Sequence, residues 1–105
     1  MRPTHALNQH RDAVREVALR HRMTQVRVFG SVLHGTDTEG SDLDLLVDPA
    51  PGASLMDLAR IELELRALLN VDVDVLTPKA LPERFRQLVM AEARPVDAGG
   101  PAAIG

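Results

Sequence analysis

Two short apolar runs joined by a glycine-bearing polar loop constrain this chain more than any other feature. Val28-Phe29 runs into Gly30-Ser31, polar residues continue to Ser41, and Asp42-Leu43-Asp44-Leu45-Leu46-Val47 resumes the apolar pattern with two aspartates built in. Side chains of a strand alternate between faces. As a strand, residues 42–47 carry Asp42 and Asp44 on one side, roughly 7 Å apart along it. Leu43, Leu45 and Val47 line the other side. Two like charges on one face repel, and folding alone gives no reason to place them there. A cation between them does.

The flanking chain supplies the rest of a small fold. Thr4 or Asn8 can cap a first helix reaching His21, with Leu7, Val14, Val17 and Ala18 near one face and charged residues on the other. Gln25 to Phe29 reads as a strand. Ser31 is a candidate N-cap for one helical turn, Val32 to His34, closed by Gly35. Thr36 to Ser41 is expected to be a mobile polar loop, and Asp42 to Asp48 a second strand. After the break at Pro49-Ala50-Pro51-Gly52, Ser54 and Asp57 form a capping-box variant. The helix they open has a core stripe of Leu55, Leu58, Ile61, Leu65 and Leu68 and stops at Asn70. Val71 to Leu76 alternates as a third strand. A last helix spans Pro82 to Ala93, with Leu81, Phe85, Leu88 and Val89 apolar, and Pro95 ends it.

This order predicts an α+β (mixed α/β) fold, a three-stranded mixed sheet packed with helices. One helical turn is too short for a parallel crossover, so the first two strands are antiparallel. The helix between the second and third strands is long enough for a parallel one. At 105 residues the chain is one domain, expected over residues 1–96, with a Gly-, Ala- and Pro-rich frayed tail at 97–105.

Composition excludes several functions. A net charge of −3 argues against a nucleic-acid binder that works by neutralising phosphates. Phe29 and Phe85 are the only aromatics, which leaves no base-stacking surface. The absence of cysteine excludes disulfides and thiolate metal sites and fits a cytoplasmic protein. No apolar run approaches the ~20 residues of a membrane span, and no signal peptide is evident.

The chemistry-bearing residues are few. Gly30-Ser31, at a strand end, presents backbone N–H groups and a hydroxyl suited to phosphate, although a plain turn accounts for it equally well. It is not a Walker A loop, since Thr36-Asp37 stands where Lys-Ser/Thr is required. Asp42 and Asp44 suit a hard cation such as Mg²⁺, and a pair of cations can clamp a phosphoryl transfer. Taken alone, a charged strand edge that resists aggregation explains the pair better. A third acid, Asp72 or Asp74 on the polar face of the next strand, shifts that balance. Strand geometry does not choose between the two. His5, His10 and His21 read as surface residues, Arg84 and Arg86 as solvated charge, and Asp48 as a strand end.

Taken together, Gly30-Ser31, the ten-residue gap, Ser41, Asp42-Leu43-Asp44 and Val73-Asp74-Val75-Leu76-Thr77-Pro78 resemble the DNA polymerase beta-like nucleotidyltransferases. More specifically, they resemble the minimal nucleotidyltransferase (MNT) antitoxins of HEPN/MNT toxin–antitoxin pairs, over nearly the whole chain. The resemblance implies that Asp42 and Asp44 hold two Mg²⁺ with Asp74 as third acid, all three catalytic. It implies that Gly30 and Ser31 grip the triphosphate of ATP, with Ser41 and His34 beside them. It further implies transfer of AMP to a tyrosine of a partner HEPN toxin, in an oligomer with that toxin. One departure stands out: the loop reads Leu33-His34-Gly35 where family loops place a basic residue before the glycine. Masking of the toxin without catalysis is the alternative. Transfer to a small molecule is disfavoured because no residues are left over for a second domain.

Overall fold

The structure, a computed structural model, describes residues 1–98. The chain begins with two helices, α1 (Pro3–Gln9) and α2 (Arg11–Arg20), where sequence predicts one. His10 breaks them with φ −136° and ψ 27°, outside the helical region. Neither expected cap forms: Thr4 lies inside α1, its hydroxyl turned to Asp37, and Asn8 accepts from Arg11. Strand β1 (Met23–Phe29) follows, then the short helix α3 (Gly30–His34) and strand β2 (Leu43–Pro49). Helix α4 (Leu55–Leu69) leads to β3 (Val73–Leu76). A 3₁₀ turn (Pro78–Ala80), α5 (Glu83–Glu92) and β4 (Arg94–Pro95) complete the main elements.

The sheet order is β3-β2-β1-β4. β1 and β2 are antiparallel and β2 and β3 parallel, as the loop lengths dictate. The sheet has four strands rather than three, because Arg94 and Pro95 pair with Val28 and Arg27 of β1. Two residues, one of them a proline without an N–H, carry no strand signal. Proline is tolerated there because the strand is at an edge. Arg11 then donates to the Val96 carbonyl at 2.6 Å, and Val96 is fully buried. The frayed tail expected from residue 97 does not begin there. Val96–Ala98 form a 3₁₀ turn and Asp97 pairs with Arg15 at 3.0 Å. The remainder of that tail, residues 99–105, lies outside the described residues.

One face of the sheet makes the core. Leu43, Leu45 and Val47 of β2, Val26 and Val28 of β1, and Val73 and Val75 of β3 pack with Leu7, Val14, Val17, Ile61, Leu65 and Leu69 of the helices. The expected capping box of Ser54 and Asp57 is present, with the Ser54 N–H donating to Asp57 Oδ2 at 2.9 Å, and Asn70 ends α4 in the left-handed region at φ 56°. The core stripe of α4 runs through Leu58, Ile61, Leu65 and Leu69. Leu55 and Leu68, expected in it, are exposed, since the stripe drifts round the helix by one position at its C-terminal end and begins a turn later. α5 departs further: none of its residues is buried, and Phe85, Leu88 and Met90 face solvent. Among the described residues, no helix is long and apolar enough to cross a membrane.

Candidate functional site

The parallel pairing of β2 with β3 sets Asp74, rather than Asp72, beside Asp44. Asp44 is directly opposite Asp74, between the pairs Leu43–Val73 and Leu45–Val75. Leu43, Leu45 and Val47 of β2 and Val73 and Val75 of β3 are buried in the core, so alternation leaves Asp42, Asp44, Asp72 and Asp74 on the other face. Asp72 and Asp42 lie at the solvent-exposed end, while Asp44 and Asp74 are half-buried. Leu43 N–H donates to the Asp72 carbonyl at 2.8 Å, locking the register where the strands enter the sheet.

Gly30 meets this cluster from β1's end. Its φ is +75°, in the region that favours glycine. A Cβ added there would strike the Asp44 carboxylate, with Cγ only 3.2 Å away. Sequence suggests that this glycine lets a phosphate approach the backbone; in the folded chain, the space of its missing side chain is taken by Asp44. Ser31 follows inside α3 and is not its N-cap. That position is Phe29, in extended conformation.

The electrostatics match a cluster of like charges. The Asp44 carboxyl is pushed from 3.8 up to about 6, first by burial and then by the charges of Asp74 and Asp42. Asp42 is also raised, by desolvation and then by Asp74 and Asp72, and Arg66 partly opposes the rise. All three influences on Asp44 act in the same direction. Among the described residues, no three histidine, cysteine or carboxylate side chains are set closely enough to hold a metal ion as they stand. The donor chemistry nevertheless suits Mg²⁺: these are hard carboxylate oxygens, and their mutual repulsion is what a divalent cation relieves.

The other predicted residues are placed less simply. The Ser41 hydroxyl accepts from Thr38 N–H at 2.8 Å and so closes the loop before β2. His34, exposed, turns its Nε2 to Glu92 of α5 at 3.2 Å. Asp48 pairs with Arg27 at 3.0 Å, four residues along β2 from Asp44, and stands apart from the acid cluster. A cleft of about 340 Å³ adjoins the Asp72 end, between Glu39–Ser41 and the end of α4 at Arg66 and Asn70.

Sequence reasoning missed Asp37. Its side chain is fully buried and accepts from Thr4 N–H (2.9 Å), the Thr4 hydroxyl (2.5 Å) and the Arg2 guanidinium (2.8 Å). Burial pushes its carboxyl up, but the hydrogen bonds from Thr4 and the charge and hydrogen bond of Arg2 bring it net below the usual range. The loop from Thr36 to Ser41, expected to be mobile, is thus tied to the start of α1. A lone aspartate among polar loop residues has no periodicity to betray it, and its partners lie more than thirty residues away.

A family model described as a nucleotidyltransferase domain matches residues 7–97. Protein adenylyltransferase MntA of Thermococcus cleftensis is 34% identical over 86 residues, covering 82% of this chain and 84% of the relative. A solved structure assigned as a minimal nucleotidyltransferase is 44% identical and superposes with a TM-score of 0.79, covering 88% of this chain and 94% of the other. The same fold recurs in a solved chain at 15% identity, with a TM-score of 0.64 over 86% of this chain and 71% of the other. That chain belongs to a complex of MNT antitoxin with a tri-AMPylated Shewanella oneidensis HEPN toxin.

Proposed function

Because this chain belongs to the nucleotidyltransferase domain family, we propose that it transfers AMP from ATP to a tyrosine hydroxyl of a partner HEPN toxin and thereby acts as its antitoxin. The observation that carries the reading is the pairing of Asp44 with Asp74 across β2 and β3, with Asp44 seated over Gly30. The likeness to protein adenylyltransferase MntA supports the class of acceptor. So does the exposed apolar side of α5, where Phe85, Leu88 and Met90 offer a protein surface something to cover.

Asp42, Asp44 and Asp74 would hold Mg²⁺, which when bound supplies positive charge against the phosphates and acidifies an attacking hydroxyl. The chain's own groups do the rest. Ser31 donates from its hydroxyl and backbone N–H to the triphosphate. Ser41 holds the entry to β2, so that Asp42 faces the nucleotide. Asp74 orients the incoming hydroxyl and accepts its proton. The acceptor oxygen forms a bond to the α-phosphorus as the bond from that phosphorus to the bridging oxygen breaks, and pyrophosphate leaves. The proton held by Asp74 passes to solvent.

Incubation with ATP labelled at the α-phosphate, Mg²⁺ and a cognate HEPN toxin tests the proposal. Label on a toxin tyrosine is expected with the wild type and none with Asp44→Asn. Stable complex formation with no label on the toxin would establish masking instead.

A further inference from the structure

β3 is the outer strand of the sheet, and an outer strand leaves one row of backbone groups unpaired. Among the described residues no neighbouring strand satisfies that row; two side chains of α4 reach it. Glu62 Oε2 accepts from Val75 N–H at 2.9 Å. The Arg66 guanidinium donates to the Val73 carbonyl at 3.3 Å. The two side chains are one helical turn apart and lie 3.8 Å from each other. Between the two backbone groups they hold sits Asp74, whose own backbone faces β2.

We infer that Glu62 and Arg66 form a clip that positions Asp74 for AMP transfer; the inference rests on the activity proposed above. α4 is anchored independently, since Ile61 and Leu65, the neighbours of Glu62 and Arg66, are fully buried in the core. The clip therefore fixes β3 against a rigid body from the side opposite β2. Asp74 is held between a ladder partner on one side and a helix on the other. Without the clip, β3 keeps four residues of parallel pairing, the weaker kind, and the burial of Val73 and Val75, but the backbone groups on either side of Asp74 lose the side chains that fix them. Small displacements of a reacting group are costly because catalysis depends on its placement. The clip also closes the sheet edge to a pairing strand, so one pair of side chains serves both purposes.

Glu62 is thus a positioning residue, acting through β3. The test compares wild type, Glu62→Ala and Glu62→Gln in AMP transfer to the HEPN toxin, with amide hydrogen exchange of Val75 followed by NMR. Glutamine keeps an acceptor oxygen for Val75 N–H and loses the charge. Glu62→Ala is expected to lower kcat about ten-fold, the scale seen when support behind a functional group is removed. KM for ATP should stay within about two-fold, and Val75 exchange should accelerate while core amides such as Leu45 do not. Glu62→Gln should restore most of both kcat and protection. Wild-type kcat in Glu62→Ala, or unchanged Val75 exchange, overturns the inference. A wild type that transfers no AMP overturns the activity itself and with it the clip's catalytic purpose, and is told apart by its own lack of label.

Discussion

Replacing Asp44 by asparagine should stabilise the metal-free protein while ending AMP transfer. Native Asp44 holds its proton more tightly than the unfolded chain does, since its carboxyl rises from 3.8 to about 6. A group raised in this way adds stability below the unfolded value, near 3.8, and that contribution is lost as pH rises through about 6. At pH 7.5 the ionised carboxylate therefore weighs against the fold. The full rise corresponds to about 3 kcal/mol. The carboxylate is only half-buried, and solvent screening reduces this to about 1–2 kcal/mol. Asparagine has nearly the same shape and no charge. It leaves the space above Gly30 filled and removes the repulsion from Asp42 and Asp74.

Urea denaturation followed by circular dichroism, with EDTA present, measures this directly. Asp44→Asn should be about 1–2 kcal/mol more stable than wild type at pH 7.5, a gain of roughly 5–10 °C in Tm for a domain of this size. At pH 4 wild-type Asp44 is largely protonated, and the difference should shrink toward zero. A variant less stable than wild type at pH 7.5, or equally more stable at both pH values, would refute the reasoning. The first result would mean that the carboxylate is held by favourable contacts. The second would mean that the gain has nothing to do with its charge.

Mg²⁺ at millimolar concentration should raise the Tm of the wild type and leave that of Asp44→Asn nearly unchanged, as read by differential scanning fluorimetry. Gly30→Ala should abolish transfer and cost about 1–3 kcal/mol in urea denaturation, because a left-handed φ adds strain and the methyl group displaces the Asp44 carboxylate. Asp37→Ala should destabilise by about 3–5 kcal/mol, since it leaves Arg2 and the Thr4 N–H without their buried acceptor. The stability from ionised Asp37 should fade as wild-type pH falls through and below the usual carboxylate range, because its carboxyl is depressed in the fold. Glu92→Gln should lower KM for ATP by at most about five-fold by releasing His34 from an exposed pair worth under about 1 kcal/mol, and His34→Ala should raise KM with kcat unchanged.

The legible parts of this protein are those with a period. Alternation in Asp42–Val47 and Val71–Leu76 located both strands within two residues and put the acids on one face. Loop length set the direction of each strand pair. Strand spacing leaves Asp72 and Asp74 open as the acid opposite Asp44; the family resemblance names Asp74, and the pairing with Asp44 itself is a matter of register, which no strand carries in its own sequence. What escaped notice has no period. β4 is two residues with a proline, His10 breaks a helix that amphipathicity joins, and Asp37 and Glu62 act through partners distant in sequence. Phe85 and Leu88 were misplaced for the opposite reason. Their helical spacing is real, but the surface they would pack against is absent from the described residues, so the apolar side of α5 is left open.

The acids and the core share a single dependency. Leu43 and Leu45 are fully buried because the other side of β2 is left to Asp42 and Asp44. A slip of one residue in register would turn every side chain over, sending two carboxylates into an aliphatic core and two leucines into water. Burying an unpaired carboxylate costs far more than the repulsion it suffers on the open face. The core therefore enforces the alignment of the acids, while the ionised carboxylates of Asp42 and Asp44 weigh against the fold. That asymmetry separates the two classes of residue. Core positions cannot change without moving Asp44 and Asp74, whereas the acids can be neutralised one at a time in a fold that stands without them.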